Sequence, residues 1–224
     1  DFAKALERYE LLRQEAPGDP ELLLEMAWLH YDNGDVRRSL GLLLALDAPI
    51  YAELIAPERF LLEALALRRL CQFGPARRAA TRLRAEYGAA LQDLYGGIPL
   101  MESMALRAAA RQRRSTRRIS AFYDRLKVEK SMLEDLGLGE DLTTHLKMVY
   151  AVGEREARRK LEATLTVEVD ALAEELLAAE EGVNLILHEL GVGLLRGRKP
   201  SPGKAIPPPL EISTRDRRSV FTFQ

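Results

Sequence analysis

The residues that could carry acid–base, metal or nucleophilic chemistry are few, and their spacing argues against each of those uses. Three histidines, His30, His145 and His188, stand far apart along the chain. His188-Glu189 opens like the zinc-binding helix of a metalloprotease, but Val192 stands where the second imidazole is required, so two ligands cannot share one helical face. His30 falls on a helix-packing position and is expected to be a hydrogen-bonded structural residue. The single cysteine, Cys71, excludes an intramolecular disulfide. Its setting, Arg69-Leu70-Cys71-Gln72-Phe73, reads as helical and apolar, where a thiol acts as a small hydrophobe. Gly191-Val192-Gly193 resembles the start of a dinucleotide loop, but Arg196 occupies the place of the third glycine and no strand precedes it. Ser201 and Ser213 lie in linker-like sequence without a nucleophile elbow. Glu174, Glu175, Glu180 and Glu181 are expected to outline the solvated face of a helix. No enzymatic activity, cofactor or metal is expected from this inventory.

One charged pattern stands out. Arg107, Arg111, Arg114 and Arg118 recur at four-three-four spacing, flanked by Arg113 and Arg117. Such a stripe could meet phosphates, but it lacks interleaved aromatics. Glu154, Glu156, Glu162 and Glu168 lie on the helix expected to face it, so a salt-bridged or solvated face is the preferred reading. The whole chain carries 33 basic and 34 acidic residues, a net charge of −1, which removes the general electrostatic case for nucleic acid or an anionic membrane. No stretch of about 18 uncharged apolar residues is available to span a bilayer.

The elements that would position these residues are helices. Leu, Ala, Arg and Glu dominate, and unbranched side chains lose little rotamer freedom in a helix. Apolar spacing predicts helices over 1–15, 20–31, 36–46, 57–73 and 76–87, with Asp32-Asn33-Gly34-Asp35 and Gly74-Pro75 as turns. From Leu100 to Arg198 there is no proline. Met101, Ala105, Ala108, Gln112, Ser115, Ile119, Phe122 and Leu126, with Leu133 and Leu136, predict one long helix with a coiled-coil-like seam. Gly137-Leu138-Gly139 ends it. A second helix from Glu140 should turn Leu142, Leu146, Val149, Leu161, Leu165, Leu172, Leu176 and Ala179 inward, antiparallel to the first. Its apolar continuation through Val183, Leu187, Leu190 and Leu194 should fold back on the N-terminal helices.

The N-terminal helices repeat. Phe2, Ala5, Tyr9, Leu12 and Pro17 stand 34 residues before Val36, Ser39, Leu43, Leu46 and Tyr51. Leu23, Met26, Ala27, Gly34, Val36, Ser39 and Leu43 then occupy packing and turn positions, and Leu67, Gly74, Ala76, Ala79 and Leu83 a looser third unit. Over residues 1–87 the chain resembles the tetratricopeptide repeat superfamily, entered at the second helix of one repeat, as in a piece of a longer protein. The resemblance implies a concave groove for peptides or partner helices, lined by Glu21, Leu24, Trp28, Tyr31 and Asp32. Trp28 could equally pack on a neighbouring helix.

After Gly197 the character changes. Pro200, Pro202 and Pro207 to Pro209 impose an extended path, Leu210 to Thr214 and Ser219 to Phe223 read as short strands, and Val220, Phe221 and Phe223 could add an edge to a partner's sheet or equally begin a small C-terminal element. Repeats, an Arg-rich hairpin, a proline linker and this aromatic end together resemble envelope and gliding-motility repeat proteins of myxobacterial type. The expectation is thus an all-α chain: repeats over 1–99, a hairpin over 100–198 and an extended tail over 199–224. Its function would be a non-catalytic scaffold that binds other proteins or peptides, set in a periplasmic or envelope assembly, with the hairpin offering a route to homo-oligomers. The alternative is a cytoplasmic adaptor that binds nucleic acid through the arginine face.

Overall fold

The computed structural model describes residues 2–51 and 56–195. The protein is all-α: 84% helical, with eight α-helices and no strand among the described residues. These are α1 Phe2–Glu15, α2 Pro20–Asp32, α3 Val36–Ala45, α4 Glu58–Arg69, α5 Phe73–Tyr95, α6 Met104–Gln112, α7 Arg114–Met132 and α8 Glu140–Leu195. A single 3-10 turn, Pro49–Tyr51, follows α3. Among the described residues, those up to Leu91 together with those from Glu174 to Leu195 form one compact unit, and Gln92–Ala173 form the other.

In the first unit local chemistry places the helix ends. Asp19 caps α2 by accepting from the Glu21 amide at 3.1 Å, and Pro20 fills the first-turn position that needs no donor. Asp35 caps α3 through the Arg38 amide at 3.2 Å. Between them Gly34 takes φ +87°, a backbone conformation that a side chain would strain. Ala27 is fully buried, which lets α2 approach its neighbours closely. The core joins Leu23, Leu24, Ala27, Trp28 and Tyr31 of α2 to Val36, Leu43, Leu46, Leu62 and Ala66. Phe60 and Tyr87 meet edge-on at 6.2 Å.

The α4–α5 turn is not at Gly74-Pro75. Both residues sit within the first turn of α5, where proline costs no hydrogen bond. The reversal falls instead on Cys71, at φ +60°. Cys71 is therefore exposed rather than a helical core residue. α5 also runs past Gly88 to Tyr95, because Ala90 and Leu91 still find apolar cover.

The C-terminal half of α8 belongs to this unit. Val183 and Ile186 are buried, Leu187 and Leu190 half-buried. Its approach to α4 needs a glycine: a Cβ on Gly182 would lie 2.7 Å from Leu61 Cδ1. Arg68 pairs with Glu189, and Arg84 Nε donates to Glu180 at 3.1 Å.

The second unit holds the stretch expected as one helix from Met101 to Leu136. It is two helices. Ser103 caps α6, accepting from the Leu106 amide at 3.1 Å while its hydroxyl donates to Asp93 at 2.6 Å. Arg113, at φ −63° and ψ 144°, is extended and separates α6 from α7. The interruption is fixed from outside the local sequence: Arg113 Nη1 donates to Glu168 of α8 at 3.2 Å, and the Ser115 hydroxyl donates to the same carboxylate. α7 and α8 then run antiparallel, joined by Lys130 to Glu154 at 2.9 Å, Tyr150 to Glu129 at 3.1 Å, and Lys147 to Glu134. Leu133 is buried as expected, but the other buried positions are Leu106, Ala110 and Thr116, one or two residues away from the expected Ala105, Ala108, Gln112 and Ser115. Phe122 and Leu136 are exposed, as are Leu142 and Val149 of α8. Leu165, Leu172, Leu176 and Ala179 are buried as expected, with Val169 beside them.

Gly182→Val places branched carbons against Leu61 and is expected to lower stability by about 1–3 kcal/mol, the usual range for overpacking. Leu62→Ala, at a fully buried position of the same unit, should cost about 2–5 kcal/mol. Urea midpoints followed by far-ultraviolet circular dichroism measure both. An unshifted midpoint for Gly182→Val would contradict the close approach.

Candidate functional site

The groove positions divide sharply. Leu24, Trp28 and Tyr31 are buried members of the core, while Glu21 and Asp32 are exposed. Trp28 lies edge-on to Tyr31 at 6.1 Å and 87°, packed within its own unit rather than lining an open groove. Helical spacing alone cannot distinguish a residue that lines a groove from one that fills the seam between adjacent helices. Here α3 and α4 supply the cover. Arg69 extends over Tyr31, its guanidinium 5.5 Å from the ring centroid, and Nη1 donates to the Tyr31 carbonyl at 3.1 Å. Burial pushes the Tyr31 phenol above its ordinary value of 10.0, against the opposing pull of Arg69.

The arginine stripe does not survive as one face. Arg107 and Arg111 lie on α6, Arg114 and Arg118 on α7, and the break at Arg113 falls between the pairs. Arg107 is half-buried; Arg111, Arg114 and Arg118 are exposed. Of the carboxylates expected to face the stripe, Glu168 holds Arg113, Glu154 holds Lys130, and Glu156 and Glu162 pair along α8 with Arg159 and Arg158.

The remaining candidates for chemistry also resolve. His30 is buried, with its ring 5.9 Å edge-on from Phe2 and Nδ1 4.0 Å from Asp35. That Nδ1 makes no hydrogen bond among the described residues, and the ring packs in the core as a structural residue. Glu180 is buried against Arg84 and not solvated as expected, because α8 turns it toward α5. Arg82 bridges Glu63 at 3.1 Å and Asp47 at 3.0 Å, and Arg59 shares Asp47 at 2.9 Å. Both guanidiniums lie over the Phe60 ring, at 4.8 and 5.3 Å. Burial raises the Glu63 carboxyl and Arg82 opposes it. This cluster ties the segment just after α3 to α4 and α5. Among the described residues no three His, Cys, Asp or Glu side chains group as metal ligands. No described helix is long and apolar enough to cross a membrane. Val220, Phe221 and Phe223 lie outside the described residues.

What sequence reasoning missed is an open apolar face on α8. Leu142, Met148, Val149 and Val152 are 52%, 53%, 66% and 56% exposed. On the same stretch Leu146, Tyr150, Gly153 and Ala157 are half-buried or buried, and they meet α7 where Tyr150 reaches Glu129 and Gly153 nears Leu126. This part of α8 therefore bears two apolar stripes, one covered and one open. Large exposed apolar patches mark interaction sites in soluble proteins. The signal was present in the sequence as valines and leucines on both faces of the helix.

No family model, curated protein or solved structure matches this chain. The fold defines the class: an all-α protein, with an apolar face of α8 left open among the described residues.

Tyr31→Phe should leave stability near neutral pH little changed and flatten its alkaline loss. A raised phenol in the folded state contributes stability that is full below pH 10 and is lost as pH rises through the folded value. Urea titrations between about pH 9.5 and 11 compare the two slopes; identical slopes would refute the buried phenol. Glu168→Ala removes the carboxylate that accepts from both Arg113 and Ser115, with an expected cost of about 1–3 kcal/mol. Hydrogen exchange should then rise first at the amides around Arg113.

Proposed function

We propose that this chain is a non-catalytic protein–protein interaction scaffold. The observation that carries the reading is the open apolar stripe on α8, whose four residues are each more than half exposed beside an already covered seam. Such a surface stabilises a complex by leaving water, with specificity supplied by charges at its rim. The N-terminal helices support the same reading through their 34-residue period and their successive packing, α1 on α2, α2 on α3 and α3 on α4. A tetratricopeptide-like array of this kind presents helix faces rather than a catalytic cleft. Within it Glu21 is exposed at the surface, while Leu24, Trp28 and Tyr31 hold the helix in place. An envelope or motility assembly is the setting that the sequence resemblance suggests, and cell fractionation with an antibody to the chain tests it.

A second reading, nucleic-acid binding, is favoured by the exposure of Arg111, Arg114 and Arg118. It predicts an affinity that falls steeply with salt and drops in an Arg111→Ala, Arg118→Ala variant.

A photo-crosslinking amino acid at Val152 tests the scaffold in cells of the source organism. Protein adducts that vanish when Val149→Asp is also introduced are the expected outcome. A chain that forms no protein adduct from this position would overturn the α8 surface as a binding site.

A further inference from the structure

The open stripe on α8 has a register, and the register identifies its occupant. Leu142, His145, Val149 and Val152 recur at three- and four-residue steps, the spacing at which one helix seats against another. Met148 borders this seam at its middle. Asp141 borders it at one end and Arg155 at the other, a turn-aligned series of 141, 148 and 155. Asp141 and Arg155 are exposed and make no ion pair among the described residues. Their neighbours Lys147, Glu154 and Glu156 are all engaged.

We propose that the chain self-associates through this segment, residues 141–155 of two copies packing antiparallel about a two-fold axis. The inference rests on the scaffold reading and names the partner of the same surface. Antiparallel pairing sets Leu142 against the partner's Val152 and His145 against the partner's Val149. Met148 meets its own counterpart near the axis. Asp141 then faces the partner's Arg155, and the symmetry makes that ion pair twice. A parallel, in-register pair would instead bring Asp141 to Asp141 and Arg155 to Arg155, so charge selects the antiparallel arrangement. The contact is self-complementary, which closes the assembly at two copies and prevents growth into a filament. Each copy brings its own α7–α8 pair, and the product is a four-helix arrangement in which the apolar residues now facing water become interior.

Sedimentation equilibrium of the full chain from about 1 to 100 µM, the range of weak specific association, reads the result. The expected parent is a dimer. Val149→Asp should weaken it by at least about a hundredfold, since the charge enters the seam twice. Its far-ultraviolet circular dichroism should be unchanged, because Val149 makes no core contact. Asp141→Arg should weaken it about tenfold through two repulsive arginine pairs. Adding Arg155→Asp to that variant should restore the parent affinity. A monomeric parent across the range overturns the proposal, and so does a dimer indifferent to Val149→Asp. A charge reversal that the double variant does not rescue overturns the antiparallel register. If the parent is monomeric but Val152 still crosslinks to other proteins in cells, the second copy is wrong and the scaffold reading stands. If both fail, the surface itself is misread.

Discussion

The structure depends on one seam along α8. Leu165, Val169, Leu172, Leu176, Ala179, Val183 and Ile186 follow steps of four and three residues without interruption, and all are buried. Residues of this helix through Ala173 serve one compact unit and those from Glu174 to Leu195 the other. A single helix of 56 residues can do this because it satisfies its own backbone hydrogen bonds along its whole length. The cost of the arrangement appears where the seam meets bulk: a Cβ on Gly182 would lie 2.7 Å from Leu61 Cδ1 and force that side chain to shift.

Polar side chains in this molecule mostly organise packing. Glu168 is the clearest case, because one carboxylate engages Arg113 and Ser115 and thereby sets the interruption between α6 and α7. A partly buried carboxylate without those donors would be costly. The interruption, in turn, splits an arginine series that would have formed one cationic face on a continuous helix. Asp47, Glu63, Arg59 and Arg82 around Phe60 act in the same way, tying the segment just after α3 to α4 and α5. Structural use of charge on this scale explains how 30% charged residues coexist with a near-zero net charge.

Binding capacity resides where packing stops. In the first unit the aromatic pair Trp28 and Tyr31 is consumed by the core. In the second, α8 between Leu142 and Val152 has covered one stripe with α7 and left the other open. A helix that is apolar on two faces needs two neighbours, and only one is supplied within this chain's described residues.

The sequence by itself determined the helical class, the glycine turn at Gly34, and the inward set of Leu165, Leu172, Leu176 and Ala179. These follow from local backbone preference and from a period that a strand cannot satisfy. It did not determine where α4 ends, because a left-handed turn at Cys71 is uncommon for a residue with a side chain and Gly74-Pro75 is the stronger local cue. Nor did it place the seam of α6 and α7, whose interior accepts Arg113 and Thr116 only because α8 brings Glu168 and apolar cover to them. Whether Trp28 lines a groove or fills a core, and which α8 stripe stays open, are decided by which helices arrive as neighbours. Spacing along one helix records its faces, but burial belongs to pairs of helices, and those pairs exist only in the tertiary structure.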